Sequence, residues 1–211
     1  IDCGGEDDGD AADIAAETLL SQGITRLDGI ILTHADRDHA GAVANLLTRI
    51  PSDRLFLSVT TDPEDAERLL QDFDGEVIWV EKEVTVSSGE EIISIIGPTF
   101  ASESNENSLC VLFEGENCAI LVTGDRGFLG EALLMRQKEL PCVDVLIAGH
   151  HGSKYSTSEA LLDAVRPEVV IISAGADNPY GHPASELLER LEIYGCRIYR
   201  TDQNGTIIYR R

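Results

Sequence analysis

The chain has 211 residues, of which 43% are hydrophobic and 26% charged, and its 38 acidic and 16 basic side chains give a formal charge of −22. This composition is that of a globular domain and excludes the disordered, collagenous and low-complexity classes. The strongly acidic charge argues against a protein that coats nucleic acid, since such a protein needs a basic surface. No apolar run reaches the roughly 20 residues of a membrane-spanning helix.

Helices and strands are predicted to alternate from the start of the chain. Apolar residues at helical spacing predict a helix over 11–22, which Gly23 ends. A short apolar run predicts a buried strand over 27–33, and a polar stretch separates it from the next helix. The further segments of this part are helices over 40–50 and from Asp62 onward, and strands over 55–59 and 76–80.

The rest of the chain begins with a β-rich stretch and then returns to alternation. Strands are expected at 84–86, 91–96, 109–113, 118–123, 143–148 and 168–173, and helices at 128–139, 158–165 and 183–194. An Asn-Gly pair at 204–205 predicts a closing hairpin between 197–201 and 206–210. We interpret residues 1–211 as a single α/β domain with the four layers of an αββα sandwich.

The clearest chemical signal follows the predicted strand 27–33. His34, Asp36, Asp38 and His39 occur within a single short segment, Thr33-His-Ala-Asp-Arg-Asp-His-Ala-Gly41. Carboxylates and imidazoles crowded directly after a buried strand are costly unless a cation compensates them. A polar turn with an Asp helix cap is the simpler alternative, but it explains one Asp and neither His. The segment therefore predicts metal binding.

Three later strands also end in ligand-type residues. The run 119–123 ends in Gly124-Asp125, and the run 143–148 leads into Gly149-His150-His151-Gly152. His182 follows the strand at 168–173. Each is ambiguous alone, because Gly-Asp turns and structural histidines are common. Their joint occurrence at strand ends, where scaffolds place functional loops, indicates one active site.

These motifs resemble those of the metallo-β-lactamase superfamily. His34-Ala-Asp-Arg-Asp-His39 is similar to the first metal motif, Asp2 to the early aspartate motif and Thr123-Gly-Asp125 to the bridging-aspartate motif. The segments 149–158, 181–183 and 200–207 narrow the resemblance to the ComEC-type branch, the hydrolase domain fused to a competence DNA-uptake channel, and its free-standing relatives. The resemblance implies an αββα fold. It also implies that the first strands lie before Ile1, in a longer protein.

The resemblance further implies a site for two divalent metal ions, Zn²⁺ or Mn²⁺. His34 and Asp36 would hold the first ion, Asp38 and His39 the second, and Asp125 would bridge them. His150 or its neighbour His151 would complete the second site, and the motif favours His150. Many members supply one more His before the bridging Asp, where this chain offers only Asn105 or Asn107.

Hydrolysis of a phosphodiester is the reaction that this resemblance implies. Asp38 would orient the attacking water as well as bind metal, and His182, Ser153 and Lys154 would bind phosphate or the leaving oxygen. The substrate would be DNA or another phosphodiester. Because the chain is acidic, DNA would be contacted through the metals, a partner domain and local cations such as Arg37, Arg126 and Lys154.

Two alternatives stay open. A free-standing relative would hydrolyse a small phosphodiester or ester, and a degenerate domain would only bind. A ComEC-like chain would be a membrane-associated, extracytoplasmic domain beside the channel domain of its own protein, whereas a free-standing enzyme would be cytoplasmic. The oligomeric state cannot be inferred from these residues.

Overall fold

The computed structural model describes residues 1–5, 8–100 and 104–210. The chain separates into two units, Ile1–Glu81 and Lys82–Arg211, each with its own sheet and its own hydrophobic core. Within the described ranges, none of the helices combines the length and apolar character that crossing a bilayer requires.

The first unit carries a three-stranded parallel sheet in the order β1-β2-β3. Its elements are α1 (Asp8–Ser21), β1 (Ile30–Ile31), α2 (Arg37–Ala40), α3 (Val43–Arg49), β2 (Arg54–Ser58), α4 (Pro63–Leu70) and β3 (Glu76–Val80). The predicted order of elements is confirmed, but β1 is shorter than the predicted strand 27–33. Leu32 and Val43 are fully buried on either side of the His/Asp segment. Burial of both flanks fixes the position of that segment.

The start of α4 shows how local sequence sets an element boundary. The Asp62 carboxylate accepts a hydrogen bond from the Glu64 amide at 2.9 Å, and Pro63 takes the first helical position. An Asp cap followed by Pro satisfies one unpaired amide and fixes φ for the first turn. The predicted helix start is therefore confirmed.

The second unit carries a seven-stranded sheet in the order β10-β9-β8-β7-β6-β5-β4. Its strands are β4 (Glu83–Ser88), β5 (Glu91–Ile96), β6 (Cys110–Glu114), β7 (Ala119–Val122), β8 (Val145–Ile147), β9 (Val169–Ile172) and β10 (Arg197–Arg200). Its α-helices are α5 (Phe128–Gln137), α6 (Glu159–Val165), α7 (Ser185–Ile193) and α8 (Thr201–Asn204). Strands β4 to β7 pair antiparallel, and β7 to β10 pair parallel.

The parallel half of this sheet positions the functional loops. Because β7, β8 and β9 are parallel neighbours, the residues that follow them emerge at the same edge of the sheet. Those residues include Asp125 after β7, His150 and His151 after β8, and His182 after β9. The prediction that these strand ends meet is thus explained by topology within this unit.

The predicted hairpin at the end of the chain is wrong. After β10, residues Thr201–Asn204 form the short helix α8, and the described residues after it contain no strand. The Asn204 side chain accepts a hydrogen bond from the Arg200 amide at 3.1 Å, and the Gly205 amide donates to the Thr201 carbonyl. These local bonds close a helical turn in place of the expected Asn-Gly hairpin turn.

Candidate metal and catalytic site

In the first unit, Asp2 and Thr33 form the base of a polar cluster. Asp2 accepts hydrogen bonds from the Thr33 amide and from the Thr33 hydroxyl, both at 2.8 Å. The backbone of the same segment is tied to β1 and α2, since the Asp2 amide donates to the Ile31 carbonyl and the Cys3 amide to that of His39. The early aspartate is therefore anchored directly beside the His/Asp motif.

Asp2 and Thr33 orient two histidines. Nδ1 of His39 lies 2.9 Å from Asp2 Oδ2, and Nδ1 of His34 lies 3.1 Å from the Thr33 hydroxyl oxygen. Because Thr33 already donates its proton to Asp2, its oxygen is left to accept from His34. Both imidazoles then carry their proton on Nδ1 and keep the Nε2 lone pair, the form that binds metals. Thr33 orients both rings, a role that the sequence motif does not reveal.

The two rings are close and sheltered. Their centroids are 4.0 Å apart, and the side chains of His34 and His39 are only 11% and 9% exposed. Asp36 Oδ2 lies 3.7 Å from His34 Nε2, and its carboxylate is largely exposed. An open cleft of about 520 Å³ adjoins the motif and is lined by Ala35, Asp36, Arg37, Asp38, Asp65 and Arg68. The first unit thus offers imidazole nitrogens beside accessible carboxylates.

In the second unit, Asp125 lies between two histidines. Its Oδ2 is 3.6 Å from His150 Nε2 and 3.8 Å from His151 Nε2, and the carboxylate is 5% exposed. A carboxylate this buried needs a cationic or hydrogen-bonding environment. Imidazole nitrogens and a carboxylate oxygen lie close together here, and both are ligand types that divalent cations accept.

The backbone after β8 explains how adjacent histidines reach one carboxylate. In an extended strand their side chains would point to opposite faces, so that only one of them could face a given ligand. The structure instead has positive φ at both residues, 49° for His150 and 53° for His151, within the 3-10 turn His150–Gly152. Left-handed backbone at non-glycine residues is uncommon and clusters at functional sites.

A second contact distinguishes the two histidines. Nδ1 of His151 lies 3.0 Å from the Ser173 carbonyl oxygen, to which it can only donate. The Nε2 atom of His151 is therefore left with its lone pair, and a backbone carbonyl is a common partner of metal-binding histidines. The choice between His150 and His151 as ligand stays a prediction, but this hydrogen bond favours His151.

His182 lies beside the His150 ring of this cluster. Its ring centroid is 5.8 Å from that of His150, and its Nδ1 is buried with no hydrogen-bond partner among the residues that the structure describes. Burial lowers the pKa of His182, and the neighbouring His150 and His151 lower it further, against an opposing effect of Asp125. A neutral ring with a buried, unpartnered Nδ1 favours the proton on Nε2, where His182 can donate a hydrogen bond.

The remaining predicted contacts differ in accessibility. Lys154 is exposed, and its ammonium lies 3.5 Å from the Glu186 carboxylate. Ser153 is buried, and its hydroxyl accepts a hydrogen bond from the Tyr155 amide at 3.3 Å, which shapes the loop. Asn105 and Asn107 lie in a short 3-10 turn, and Asn107 is buried. The proposed roles of these four residues stay predictions.

The prediction that Arg126 contacts DNA is wrong. Its side chain is 0% exposed, so no substrate can reach it. The guanidinium donates to three backbone carbonyls instead, those of Ser108 at 2.8 Å, Gly97 at 2.9 Å and Gly130 at 3.4 Å. Arg126 is a structural residue that joins the loop after β7 to two other segments.

The buried carboxylate of Glu131 stabilises the loop 149–158 after β8, which we call the histidine loop. Glu131 on α5 is 0% exposed and accepts hydrogen bonds from the amides of Thr157 and Ser158. From α7, Arg190 donates to the carbonyls of Ser156 and Thr157 at 3.0 and 3.1 Å. Neither Glu131 nor Arg190 belongs to a recognisable sequence motif. Their contacts with this loop could not be predicted because both residues lie far from it in sequence.

The sequence matches one family profile, described as the metallo-β-lactamase superfamily, over residues 1–176. It is 37% identical to ComE operon protein 3 of Bacillus subtilis (strain 168), over 91% of this chain and 26% of that protein. It is 30% identical to competence protein ComA of Neisseria gonorrhoeae, over 90% of this chain and 26% of that protein. The chain thus spans about a quarter of the length of these relatives.

The fold is also that of a solved structure. The metallo-β-lactamase fold protein YhfI from Bacillus subtilis superposes with a TM-score of 0.56 at 12% identity, over 94% of this chain and 81% of that chain. At so low an identity, the similarity concerns the fold alone. This similarity confirms the predicted fold class. With the profile match over most of the sequence, it follows that the chain belongs to the metallo-β-lactamase superfamily.

Proposed function

We propose that this chain is a metal-dependent phosphodiesterase that acts on DNA. The observation that carries the proposal is the convergence of His150 Nε2 and His151 Nε2 on one oxygen of the buried Asp125 carboxylate, at 3.6 and 3.8 Å. Buried carboxylates beside histidines are the usual material of catalytic metal sites. Because the chain belongs to the metallo-β-lactamase superfamily, we propose that these side chains serve a metal-dependent hydrolase.

Both clusters are proposed to supply ligands. The tautomers of His34 and His39, set by Thr33 and Asp2, leave Nε2 lone pairs suited to a cation. The proposed ligands are His34, Asp36, Asp38, His39, Asp125 and one histidine of the pair His150 and His151. We favour His151 because its Nδ1 donates to a carbonyl. Two divalent ions are proposed, and the oxygen of Asp36 makes Mn²⁺ competitive with Zn²⁺.

The proposed chemistry divides between the metals and the chain. When bound, divalent cations make water acidic enough to lose its proton near neutral pH and offset the charge on phosphoryl oxygens. Asp38 accepts a hydrogen bond from the attacking water and so orients it. Neutral His182 donates from Nε2 to the substrate or the leaving oxygen, and the exposed ammonium of Lys154 binds a neighbouring phosphate.

DNA is proposed as the substrate because of the relatives. One of them is a competence protein, and the chain matches about a quarter of its length. We propose that the chain serves DNA uptake as an extracytoplasmic domain beside a membrane channel domain of the same protein. The alternative is a free-standing hydrolase of a small phosphodiester, and the charge of −22 keeps that alternative open.

The test is a cleavage assay with several substrates. The purified chain is incubated with single-stranded DNA, double-stranded DNA and bis(p-nitrophenyl) phosphate, each with Mn²⁺, Zn²⁺, Mg²⁺ or a chelator. We expect metal-dependent cleavage that Asp38→Ala abolishes. Asp38 is exposed, so this variant should fold normally, which circular dichroism checks.

Asp28→Ala is the matched control, because Asp28 is an exposed carboxylate before β1 instead of after it. It should cleave like the wild type. Cleavage of the small diester alone would favour the free-standing alternative. Absence of cleavage of all three substrates with every metal would overturn the enzyme proposal and leave the degenerate binding domain.

A further inference from the structure

The loop between β9 and α7 holds an exposed aromatic ring in a fixed position. Asn178 ties this loop together: its amide nitrogen donates to the carbonyls of Gly175 at 2.8 Å and His182 at 2.6 Å, and its oxygen accepts from the His182 amide at 3.0 Å. Tyr180 lies inside this braced turn. The loop therefore presents Tyr180 and His182 as one rigid pair.

The Tyr180 ring lies beside His182, and most of its surface is open to solvent. The ring stacks on His182 with centroids 6.2 Å apart and planes at 23°, yet Tyr180 is 78% exposed. An isolated exposed aromatic needs no explanation. Tyr180, however, lies in a hydrogen-bonded turn beside His182, and the His182 ring centroid is 5.8 Å from that of His150. The three rings therefore form a row from the Asp125 cluster to solvent.

A second exposed aromatic emerges at the same edge of the sheet. Tyr155, 65% exposed, follows β8, which is the parallel neighbour of β9. Tyr180 and Tyr155 are the two most exposed aromatic side chains in the described part of the chain. The Lys154 ammonium lies 5.2 Å from the Tyr155 ring centroid. Planar rings interspersed with a cation match a ligand that alternates flat bases with phosphates.

We propose that Tyr180 is a base-stacking residue, whose open face binds the nucleobase next to the phosphate that His182 contacts. This inference rests on the proposed function and deepens it. Stacking needs a base with a free face, so the ligand is an unpaired or frayed nucleotide. A small diester without a base gains nothing from Tyr180, and neither does a paired base within a duplex.

The test compares two oligonucleotides that differ in one base. Both are short single strands, one carrying 2-aminopurine at its centre and the other an abasic site there. Affinity is measured with the metal-depleted chain in chelator, by 2-aminopurine fluorescence for the first strand and by competition for the second. The wild type should prefer the base-containing strand, and Tyr180→Ala should weaken that binding on the order of 5- to 100-fold.

The abasic strand should bind Tyr180→Ala and the wild type equally, and Tyr180→Phe should retain the preference because it keeps the ring. Tyr199→Ala is the matched control, since Tyr199 is an exposed tyrosine on the edge strand β10. An equal loss on both strands would mark a structural role and overturn the proposal. A wild type without preference for the base would overturn it too.

Steady-state cleavage gives a second readout that separates this inference from the proposed function. With metal present, Tyr180→Ala should raise KM for the base-containing strand with little change in kcat, and should leave both constants unchanged for the abasic strand. A wild type that cleaves neither strand would refute the phosphodiesterase. A wild type that cleaves both, with kinetics that Tyr180→Ala does not alter, would refute base stacking alone.

Discussion

Asp2 Oδ2 lies 2.9 Å from Nδ1 of His39 and determines which nitrogen of that ring carries the proton. Replacing Asp2 by Asn keeps the shape but presents either an amide donor or a weaker acceptor to His39. Loss of such a supporting carboxylate commonly reduces metal affinity by about 10- to 100-fold. We expect Asp2→Asn to bind Mn²⁺ or Zn²⁺ more weakly by that factor, measured by competition with a chromophoric chelator.

The control for this prediction is Asp28→Asn, a neighbouring acidic residue that is exposed and lies before β1. It removes the same charge, so any general electrostatic effect on metal binding is common to both variants. Equal metal affinity in Asp2→Asn and Asp28→Asn would mean that the contact with His39 does not tune the site.

His182 gives a prediction of the opposite kind. Its ring lies beside His150, yet we propose that it donates to substrate and holds no metal. His182→Ala should therefore keep metal content, measured by mass spectrometry of the loaded protein, and lower kcat on the order of 100- to 1,000-fold, the usual effect of losing one such donor. Metal loss in His182→Ala would instead make it a ligand. Tyr199→Phe, a change at an exposed position on the edge strand β10, should retain kcat.

The sequence predicted the order of most elements because their signals are local. The Asp62-Pro63 cap and the apolar run that becomes β9 need no information from distant residues. The closing hairpin failed for a related reason. The Asn204-Gly205 signal is local as well, but the Asn204 side chain bonds to the Arg200 amide and closes a helical turn. Two local signals competed, and pattern alone did not rank them.

The candidate site was predicted in its residue types but not in its geometry. In an extended strand only one of His150 and His151 could face a given ligand, whereas positive φ at both turns them toward Asp125. The contacts of Glu131 with Thr157 and Ser158, further along the same loop, come from helix α5 and are equally non-local in sequence. The burial of Arg126 could not be predicted from the sequence either, because two of its three carbonyl partners, Ser108 and Gly97, lie far from it along the chain.

Arg126 yields a prediction about stability. Its planar guanidinium satisfies three buried carbonyls at once, which a single lysine ammonium cannot reach in the same geometry. Arg126→Lys should lower the free energy of unfolding by about 3 kcal/mol, since buried carbonyls lose their partners. Urea unfolding measures this change. Arg136→Lys, at an exposed position on α5, should stay within about 0.5 kcal/mol of the wild type; similar losses in both would show that burial of Arg126 is not the cause.

Glu131 predicts how stability depends on pH. Burial raises the pKa of Glu131 from its ordinary value of 4.5 to about 7, against the lowering effect of its hydrogen bonds to Thr157 and Ser158 and of the Arg190 charge. Between these two values the folded chain holds a proton that the unfolded chain has lost. The contribution of Glu131 is thus complete below pH 4.5 and is lost as pH rises toward 7.

The variant Glu131→Gln isolates this contribution because it stays neutral at every pH. Relative to Glu131→Gln, the wild type should lose up to about 3 kcal/mol of unfolding free energy between about pH 4.5 and about pH 7.5, as a shift of this size requires. Urea unfolding at several pH values measures the difference, and Glu139→Gln, an exposed carboxylate just after α5, should show none. A difference that grows in the wild type's favour with rising pH would mean that the hydrogen bonds from Thr157 and Ser158 outweigh burial, and that Glu131 supports the histidine loop as a carboxylate.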